Sequence, residues 1–289
     1  MFNTQEKVIE YCQKNHCRIY DIVLDHDSEN TRTSKEQIIL KLSSMIDVME
    51  ESSRKTLEEP RSTNTGMIDG FAHRMFLYSK EEPVSGPFMA QLMAMAFSTL
   101  ETSASMGRIV ASPTAGASGI LPAVLMMMKE EYGFKKDELT NALLTSIGIG
   151  QIIGKYANFS GAEGGCQAET GSAASMGAAA IVELRNGTVE QCFHAASIAL
   201  INILGLVCDP IAGLVEYPCT FRNANGAVNA VISADMALAG VKSIVPFEEV
   251  TQAMNDVGKM LPTALRETGI GGLAGTKTGR RIRSKFLNE

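Results

Sequence analysis

Apolar residues recur at three- and four-residue steps over most of the chain, which is the spacing of one face of an α-helix. The clearest stretch covers residues 35–58, where Ser34 can cap the N-terminus and Glu59-Pro60 ends the pattern. Further helices are predicted at 5–15, 87–105, 137–156, 166–185, 188–207, 223–241 and 246–261. Regular alternation of apolar and polar residues is rare, so the pattern predicts an all-α fold.

Short polar segments rich in glycine separate the predicted helices. They include Thr63-Asn64-Thr65-Gly66, the segment 112–119 and the segment 158–165. Glycine and asparagine tolerate the left-handed conformation of tight turns, and threonine hydroxyls close local bonds to the backbone. The many Gly, Ala and Ser residues inside the helices indicate close packing around these loops. We expect a helical domain at 31–289, with glycine-rich loops around a buried site, preceded by a helical arm at 1–30.

Composition and charge exclude several classes of function. The 289 residues are 45% hydrophobic and 20% charged, as in an ordinary soluble globular protein, and the net charge of −6 offers no basic surface for nucleic acid. The longest apolar stretches, such as 197–207, are interrupted and too short to span a bilayer. Residues 1–7 lack the basic and apolar regions of a secretory signal. We therefore expect a cytoplasmic protein whose partners include neither nucleic acid nor a membrane.

Three of the six cysteines lie in bends that contain glycine or proline. Cys166 follows two glycines, Cys208 precedes Asp-Pro, and Cys219 follows a proline. Three thiolates on rigid turns can hold three corners of an iron-sulfur cube and leave one iron open as a Lewis acid. We place Cys166 at a helix N-terminus, where the helix dipole favours a thiolate. The open corner of such a cube is the active site that these residues suggest.

Each cysteine also has a simpler explanation, because a single intracellular cysteine most often packs in the core as a small hydrophobe. The three residues are 42 and 11 positions apart, so no C-x-x-C spacing supports a zinc or ferredoxin site. Cys12 and Cys17, with His16 between them, lack a second ligand pair, and we predict no metal there. Cys192 lies in a plain helical pattern and is predicted to be a core residue.

Four motifs include parts of two of these loops and two of the three cysteines. They are SPTAG at 112–116, SGAEGGCQAE at 160–169, CDPIAGLVE at 208–216 and PTALRETG at 262–269. Together they resemble the α chain of the two-subunit, iron-sulfur-dependent L-serine dehydratases, and the resemblance runs nearly end to end. It implies conversion of L-serine to pyruvate and ammonia. It also implies a 4Fe-4S cluster whose three cysteine ligands fall on Cys166, Cys208 and Cys219.

The resemblance further implies a separate β chain and therefore a hetero-oligomer. Single-chain members of the family carry an additional N-terminal region with a Ser-Ser-Ser-His-Thr stretch that this sequence lacks. Some of them end in a cysteine that caps the open iron. This chain ends in Asn288-Glu289, so we do not expect such capping.

Dehydration of serine removes a hydroxide and the proton on the α carbon, which requires a Lewis acid and a base. Lys155 resembles a lysine beside the cluster loop of single-chain members and is our predicted base. A histidine of the β chain is the alternative, and Lys155 also fits a solvated helix end. The four histidines of this chain match no family motif and are left unassigned.

Serine also presents a carboxylate and an ammonium group, for which the polar loops offer hydroxyls, amides and backbone N–H groups. The predicted substrate-binding residues are Thr63, Asn64, Thr65, Ser112, Thr114, Ser118, Asn158 and Arg222. Arg222 can pair with the carboxylate through a bidentate contact or simply face water. Loops of this composition are also common as simple turns.

Three other functions are compatible with these residues. A pyridoxal-phosphate dehydratase performs the same net reaction, but the glycine-rich segment 269–273 has no suitable lysine before it. A related L-cysteine desulfidase would use the same open iron, which binds a thiolate at least as well as a hydroxyl. The chain could also be a cluster-bearing subunit that is inactive without its β chain.

Overall fold

Thirteen α-helices account for most of residues 4–287, the part of the chain that the computed structural model describes. No β-strand occurs among these residues, which confirms the all-α prediction. The helices are α1 (Gln5–Asn15), α2 (Ile19–Thr31), α3 (Lys35–Arg54), α4 (Phe71–Ser79), α5 (Gly86–Ala104), α6 (Ile120–Tyr132), α7 (Lys136–Tyr156), α8 (Gly161–Gly164), α9 (Ser172–Leu184), α10 (Val189–Ile201), α11 (Cys219–Leu238), α12 (Phe247–Met260) and α13 (Lys277–Leu287). Residues 1–3 and 288–289, on which the localisation and capping predictions partly rest, lie outside the described residues.

Most predicted helices lie where the apolar pattern places them, and the differences are at their ends. The predictions place the end of α3 at 58, the start of α9 at 166, the end of α10 at 207 and the start of α11 at 223, and all four positions are wrong by several residues. Helix α9 starts late because Gln167–Gly171 forms a π-helical turn. No helix is predicted at the positions of α4, α6, α8 and α13, and α2 is covered only by the predicted helical arm.

Helix α4 is capped by a residue from another helix. The backbone N–H groups of Phe71 and Ala72 donate to Oε1 of Glu101, at 2.6 and 3.1 Å. Glu101 belongs to α5 and is fully buried, and burial raises its pKa against the opposing effect of these hydrogen bonds. The first N–H groups of a helix have no partner within the helix. A distant carboxylate supplies that partner here, so no local capping signal marks the start of α4.

We expect Glu101→Ala to lower the free energy of unfolding by about 2 kcal/mol, because two buried N–H groups lose their acceptor. Glu101→Gln keeps one acceptor oxygen and is expected to lose less. Urea unfolding followed by circular dichroism measures both. Glu131→Ala, at an exposed position of α6, is the control, with an expected change below about 0.5 kcal/mol. Equal stability of Glu101→Ala and this control would contradict the capping role.

Helix α9 lies at the centre of the molecule and packs against α6, α7, α10 and α11. All of its residues are buried, and most of them are Ala, Ser or Gly. A Cβ atom added to Gly177 would lie 3.3 Å from the Cβ of Ala230 in α11, so the two backbones approach closely. A helix that is buried on all sides forms a core rather than a surface. The close packing predicted from the small residues is confirmed.

The two N-terminal helices share this core. Val8 of α1 and Ile19 of α2 are buried in the same apolar cluster as α9. Arg18 donates to Glu183 of α9 at 2.6 Å. The domain boundary at residue 30 stays a prediction. Across residues 4–287, no helix combines the length and the apolar character needed to cross a lipid bilayer.

Candidate functional site

The first cysteine segment owes its shape to glycine. Gly165 has a positive φ of 77°, and a Cβ there would lie 2.8 Å from the carbonyl oxygen of Leu206. The backbone N–H of Gln167, two residues after Gly165, donates to the same carbonyl oxygen at 3.0 Å. Cys166 lies between them and precedes the π-helical turn, rather than starting an α-helix directly as predicted. Such π-helical turns occur frequently at functional sites.

Gln167 joins the segment of Cys166 to that of Cys208. Its fully buried side chain donates to the carbonyl oxygens of Gly164 and Met254, at 2.8 and 3.0 Å. Its Oε1 accepts from the N–H of Gly205 at 2.9 Å. Both N–H groups and the carbonyl oxygen of the amide are therefore used to hold these chain segments together.

Cys208 is held in turn by the segment 262–269. Its N–H donates to the carbonyl oxygen of Leu265 at 2.8 Å, and its carbonyl oxygen accepts from the N–H of Glu267 at 2.7 Å. The neighbouring Asp209 accepts from Nη2 of Arg222 at 2.5 Å and from the N–H of Leu273 at 2.7 Å. Because Arg222 lies on the first turn of α11, this ion pair fixes Cys208 against the helix that Cys219 begins.

Asn223 connects Cys219 to the loop 112–119. Its side chain is fully buried and donates to the carbonyl oxygens of Gly116 and Cys219, at 2.7 and 2.8 Å. Its Oδ1 accepts from the N–H of Gly119 at 2.8 Å. The amide thereby fixes the predicted substrate loop to the start of α11.

The three thiols lie in one electrostatic environment. All three are buried, and burial is the main cause that raises the pKa of each thiol. The charge of Cys166 further raises the pKa of Cys208 and of Cys219, and the Glu169 carboxylate acts on all three in the same direction. The guanidinium of Arg222 opposes these effects at Cys166 and Cys219. The three thiols can therefore ionise together only when a positively charged group lies between or beside them.

Nη1 of Arg222 is buried and makes no hydrogen bond of normal geometry within the described residues. The guanidinium nevertheless lies beside the Cys166 thiol, which itself contacts the hydroxyl of Thr170 at 3.2 Å. A buried donor without an acceptor is uncommon in a native protein and points to an absent partner. This donor faces the same group of residues as the thiols.

The space between the cysteine segments is bounded by glycines. A Cβ on Gly161 would lie 2.8 Å from Sγ of Cys208 and 2.8 Å from Oε2 of Glu169. A Cβ on Gly116 would lie 2.7 Å from Oε1 of Glu169, which also accepts from the hydroxyl of Thr114 at 2.7 Å. Any larger residue at either position would displace the thiol or the carboxylate.

No group of three or more His, Cys, Asp or Glu side chains among the described residues is arranged to hold a single metal ion. A four-iron cube does not require that arrangement, because each cysteine binds a different iron. The donor set consists of three buried thiols in mutual electrostatic contact, with the Arg222 cation and the space left by Gly161 beside them. These residues fit a cluster, and their role as ligands stays a prediction.

Two of the predicted substrate-binding loops are held by buried carboxylates. The hydroxyl of Thr65 donates to Oε2 of Glu216 at 2.5 Å, and the hydroxyl of Thr63 lies 3.0 Å from Oδ1 of Asp69 and 3.2 Å from the same Glu216 oxygen. Glu216 lies between Cys208 and Cys219 in the chain, so this bond places the first loop against the cysteine segment. The side chain of Asn64 is exposed. In the second loop, Thr114 contacts Glu169 as described above.

The remaining predicted residues make mostly local contacts. The hydroxyl of Ser112 lies 3.5 Å from the carbonyl oxygen of Val110, and that of Ser118 donates to Ala115 at 2.8 Å. Oδ1 of Asn158 accepts from the N–H of Ser160 at 2.9 Å. Lys155 has an exposed side chain in the last turn of α7, with Nζ 5.4 Å from the ring centroid of Tyr156. The substrate and base roles stay predictions.

The other cysteines lie elsewhere in the fold. Cys192 is fully buried in the core, as predicted, and its thiol lies 3.7 Å from the carbonyl oxygen of Ala179. Cys12 is buried beside Cys17, and burial raises the pKa of Cys12 to about 12. The described residues around this pair form no metal site.

One protein-family model matches most of the chain. The family model described as "Serine dehydratase alpha chain" matches residues 14–274. The chain belongs to the serine dehydratase α-chain family. The resemblance inferred from the four motifs is thereby confirmed.

Similar proteins match this chain along its whole length. The "L-serine dehydratase, alpha chain" of Peptoniphilus asaccharolyticus is 58% identical over 100% of this chain and 99% of that protein. The "Probable L-serine dehydratase, alpha chain" of Bacillus subtilis strain 168 is 44% identical over 99% of this chain and 96% of that protein. The "L-serine dehydratase" of Helicobacter pylori is 31% identical over 95% of this chain but only 62% of that longer protein.

Several residues that build this site have no predicted role. They are Gln167, Glu169, Asp209, Glu216, Asn223 and Glu267. All but Asn223 lie inside the motifs that carry the resemblance to the serine dehydratase α-chain family, so the motifs contain the available signal. Their contacts join segments far apart in the chain, and no spacing within the sequence indicates them.

Proposed function

We propose that the chain is the α subunit of an iron-sulfur-dependent L-serine dehydratase, which converts L-serine to pyruvate and ammonia. Similarity along the whole chain carries the proposal: the Peptoniphilus protein named L-serine dehydratase, alpha chain, is 58% identical over 100% of this chain. The grouping of three buried thiols around a glycine-bounded space supports it independently.

Cys166, Cys208 and Cys219 are the proposed ligands of a 4Fe-4S cluster. When bound, such a cluster supplies an iron without a protein ligand that acts as a Lewis acid toward the substrate hydroxyl. The chain contributes three ligands on segments that Gln167 and the Arg222–Asp209 ion pair hold together. Burial of the thiols excludes water from their surroundings.

Arg222 is the proposed partner of the serine carboxylate. Its buried Nη1 makes no hydrogen bond of normal geometry within the described residues and the guanidinium lies beside the Cys166 thiol, while Nη2 is fixed by Asp209 at 2.5 Å. A guanidinium fixed at one nitrogen presents the other in a defined direction, which favours a charge-assisted bond. The other proposed substrate contacts come from Thr63, Asn64, Thr65, Ser112, Thr114, Ser118 and Asn158. The hydroxyls of Thr65 and Thr114 already bind carboxylates of this chain, which holds their loops in place.

A separate β chain completes the proposed enzyme. The base that accepts the proton from the α carbon is Lys155 or a histidine of that chain. Two relatives named alpha chain match this chain over nearly their whole length, whereas the Helicobacter protein named L-serine dehydratase is longer. A division of the enzyme between two chains accounts for this difference in length.

Anaerobic purification followed by iron, sulfide and pyruvate determination tests the proposal. We expect iron and sulfide in equal amounts, about four of each per chain, and pyruvate from L-serine when the β chain is added. Absence of iron from anaerobically prepared protein would contradict the cofactor assignment. Faster release of sulfide from L-cysteine than of pyruvate from L-serine would assign a desulfidase. Full activity of the α chain alone would contradict the two-chain enzyme.

We expect Lys155→Ala to keep its iron and to turn over L-serine about 100-fold more slowly, because general-base catalysis contributes about 100-fold or more. Steady-state pyruvate formation in the presence of the β chain measures the effect. Lys259→Ala, at an exposed position of α12, is the control and is expected to retain normal turnover. Near-normal turnover of Lys155→Ala would remove this lysine and leave the base to the β chain.

A further inference from the structure

An apolar surface surrounds the outer end of the cysteine segment. It consists of two hollows, one of about 280 Å³ and one of about 490 Å³. The first hollow is lined by Phe71, Arg74, Met75, Tyr78, Phe97 and Phe221. The second hollow is lined in part by Met67, Ile211, Tyr217, Leu273 and Ile282. Both are accessible, since Tyr78, Phe221 and Leu273 are 41%, 42% and 40% exposed.

Tyr217 and Phe221 separate the two hollows and form what we term the aromatic ridge. Their ring centroids lie 5.2 Å apart in an edge-to-face arrangement. Phe221 also stacks on Phe71 of α4 at 5.6 Å, with an angle of 18° between the rings. Cys219 lies midway between the two ridge residues in the chain. The aromatic ridge is therefore held rigidly by ring packing, and the chain connects it directly to the proposed ligand Cys219.

A contiguous apolar surface of this kind marks an interaction site more often than a random feature of a soluble protein. Aromatic side chains that pack rigidly and remain half exposed are typical of the residues that dominate protein interfaces. An enzyme that removes a proton and a hydroxide also works better when its site is shielded from water. A protein that covers the aromatic ridge would provide that shielding.

Helix α13 gives this surface a strongly basic edge. Ile282 of α13 lines the second hollow, while Lys277, Arg281 and Lys285 are exposed at steps of four residues along one face. None of these three cations forms an ion pair within the described residues. The helix has five basic residues and no acidic one, in a chain whose net charge is −6. An apolar surface with a basic edge complements an apolar surface with an acidic edge.

We infer that the two hollows and the basic face of α13 receive the β chain, with apolar side chains in the hollows and acidic side chains opposite α13. This inference rests on the proposed function, because it concerns the partner proposed there. A second copy of this chain is a poor occupant. A symmetric contact would place the basic α13 against the same surface of the other copy, and the two hollows of that surface are lined by no acidic residue that the structure describes.

Binding of the two purified chains, measured by calorimetry without substrate, tests the inference. We expect Arg281→Glu/Lys285→Glu to weaken binding by about 10-fold or more at low salt, and the difference to shrink at high salt as charges are screened. Tyr78→Asp is expected to weaken binding at every salt concentration, because it places a charge in an apolar hollow. Lys7→Glu/Lys14→Glu makes the same change of charge on α1 and is expected to bind normally.

Normal binding of both test variants would overturn the inference. Self-association of the α chain that the Tyr78→Asp substitution abolishes would assign the surface to a second copy. The α chain could instead bind vesicles of phosphatidylserine and phosphatidylcholine. If Arg281→Glu/Lys285→Glu abolished vesicle binding but left β-chain binding normal, α13 would be assigned to a membrane surface. Failure of the proposed function is distinguishable, since chains that bind each other as expected but form no pyruvate would refute only the activity.

Discussion

Cys166→Ser, Cys208→Ser and Cys219→Ser are each expected to lose bound iron and L-serine turnover together. A serine hydroxyl is a harder and weaker ligand than a thiolate, so each change removes one of the three proposed anchors. The three thiols are buried in a common environment, whereas Cys12, Cys17 and Cys192 lie near Arg18 or near one another in a different part of the fold. We expect turnover to fall by at least about 100-fold in each variant, by analogy with the loss of other metal-site residues. Anaerobic iron determination and pyruvate formation with the β chain measure the two effects.

Cys192→Ser is the matched control for this experiment. Cys192 is as buried as the three proposed ligands, but it lies in the core, with its thiol 3.7 Å from the carbonyl oxygen of Ala179. A serine hydroxyl there can donate to the same carbonyl group, so we expect iron content and turnover to remain largely intact. Normal iron content in Cys166→Ser, Cys208→Ser or Cys219→Ser would show that the ligand set is wrong.

The fold class and the central helices follow from local patterns. Helix α3 has Ser34 as its cap and an apolar face at helical spacing, and both signals lie within the segment itself. Its end is predicted less well, because Pro60 lies beyond the last helical residue, Arg54. Helix α4 gives no such signal, because its N–H groups are satisfied by Glu101, about thirty positions further along the chain. Local sequence therefore predicts a helix well when its ends are satisfied locally.

The candidate site also has features that local sequence predicts and features that depend on distant residues. The bends around Cys166, Cys208 and Cys219 are visible because glycine and proline act on the residues next to them. The π-helical turn after Cys166 is not visible, since Gln167 stabilises that region through bonds to Gly205 and Met254. The carboxylate that holds Thr63 and Thr65 lies about 150 positions away. The partners of the predicted polar loops depend on tertiary contacts, and the segment 158–165, predicted as a loop, contains the short helix α8.

The buried carboxylates give these loops a structural role beside the one proposed for substrate. Glu216 accepts the hydroxyl of Thr65 and lies beside that of Thr63, and Glu169 accepts the hydroxyl of Thr114. Burial raises the pKa of Glu169, and the nearby charge of Glu267 acts in the same direction. The hydroxyl of Thr114 and the Arg222 cation oppose that shift. The loops and the cysteine segments thus form one network, in which a small displacement at any member reaches the thiols.

Gly161→Ala is expected to damage the candidate site directly, although it only replaces one hydrogen by a methyl group. The added Cβ would lie 2.8 Å from Sγ of Cys208, 2.8 Å from Oε2 of Glu169 and 3.3 Å from Oε2 of Glu267. Ordinary contacts between such atoms are longer, so the thiol, the carboxylates or α8 itself must move. Displacements on the order of 1 Å at a catalytic site cost about 100-fold in rate, and we expect a loss of at least that size.

Gly150→Ala in α7 separates this effect from a general effect of replacing glycine. A Cβ at Gly150 would lie 3.4 Å from the flexible end of Met176, which can move aside, and alanine favours a helix over glycine by about 1 kcal/mol. We therefore expect Gly150→Ala to keep normal iron content and turnover. Urea unfolding of Gly161→Ala distinguishes a local change at the site from a loss of fold. Normal iron and normal turnover in Gly161→Ala would mean that the space beside Cys208 is not part of the active site. Loss of both with unchanged stability would place that space, and Cys208 with it, at the centre of the reaction.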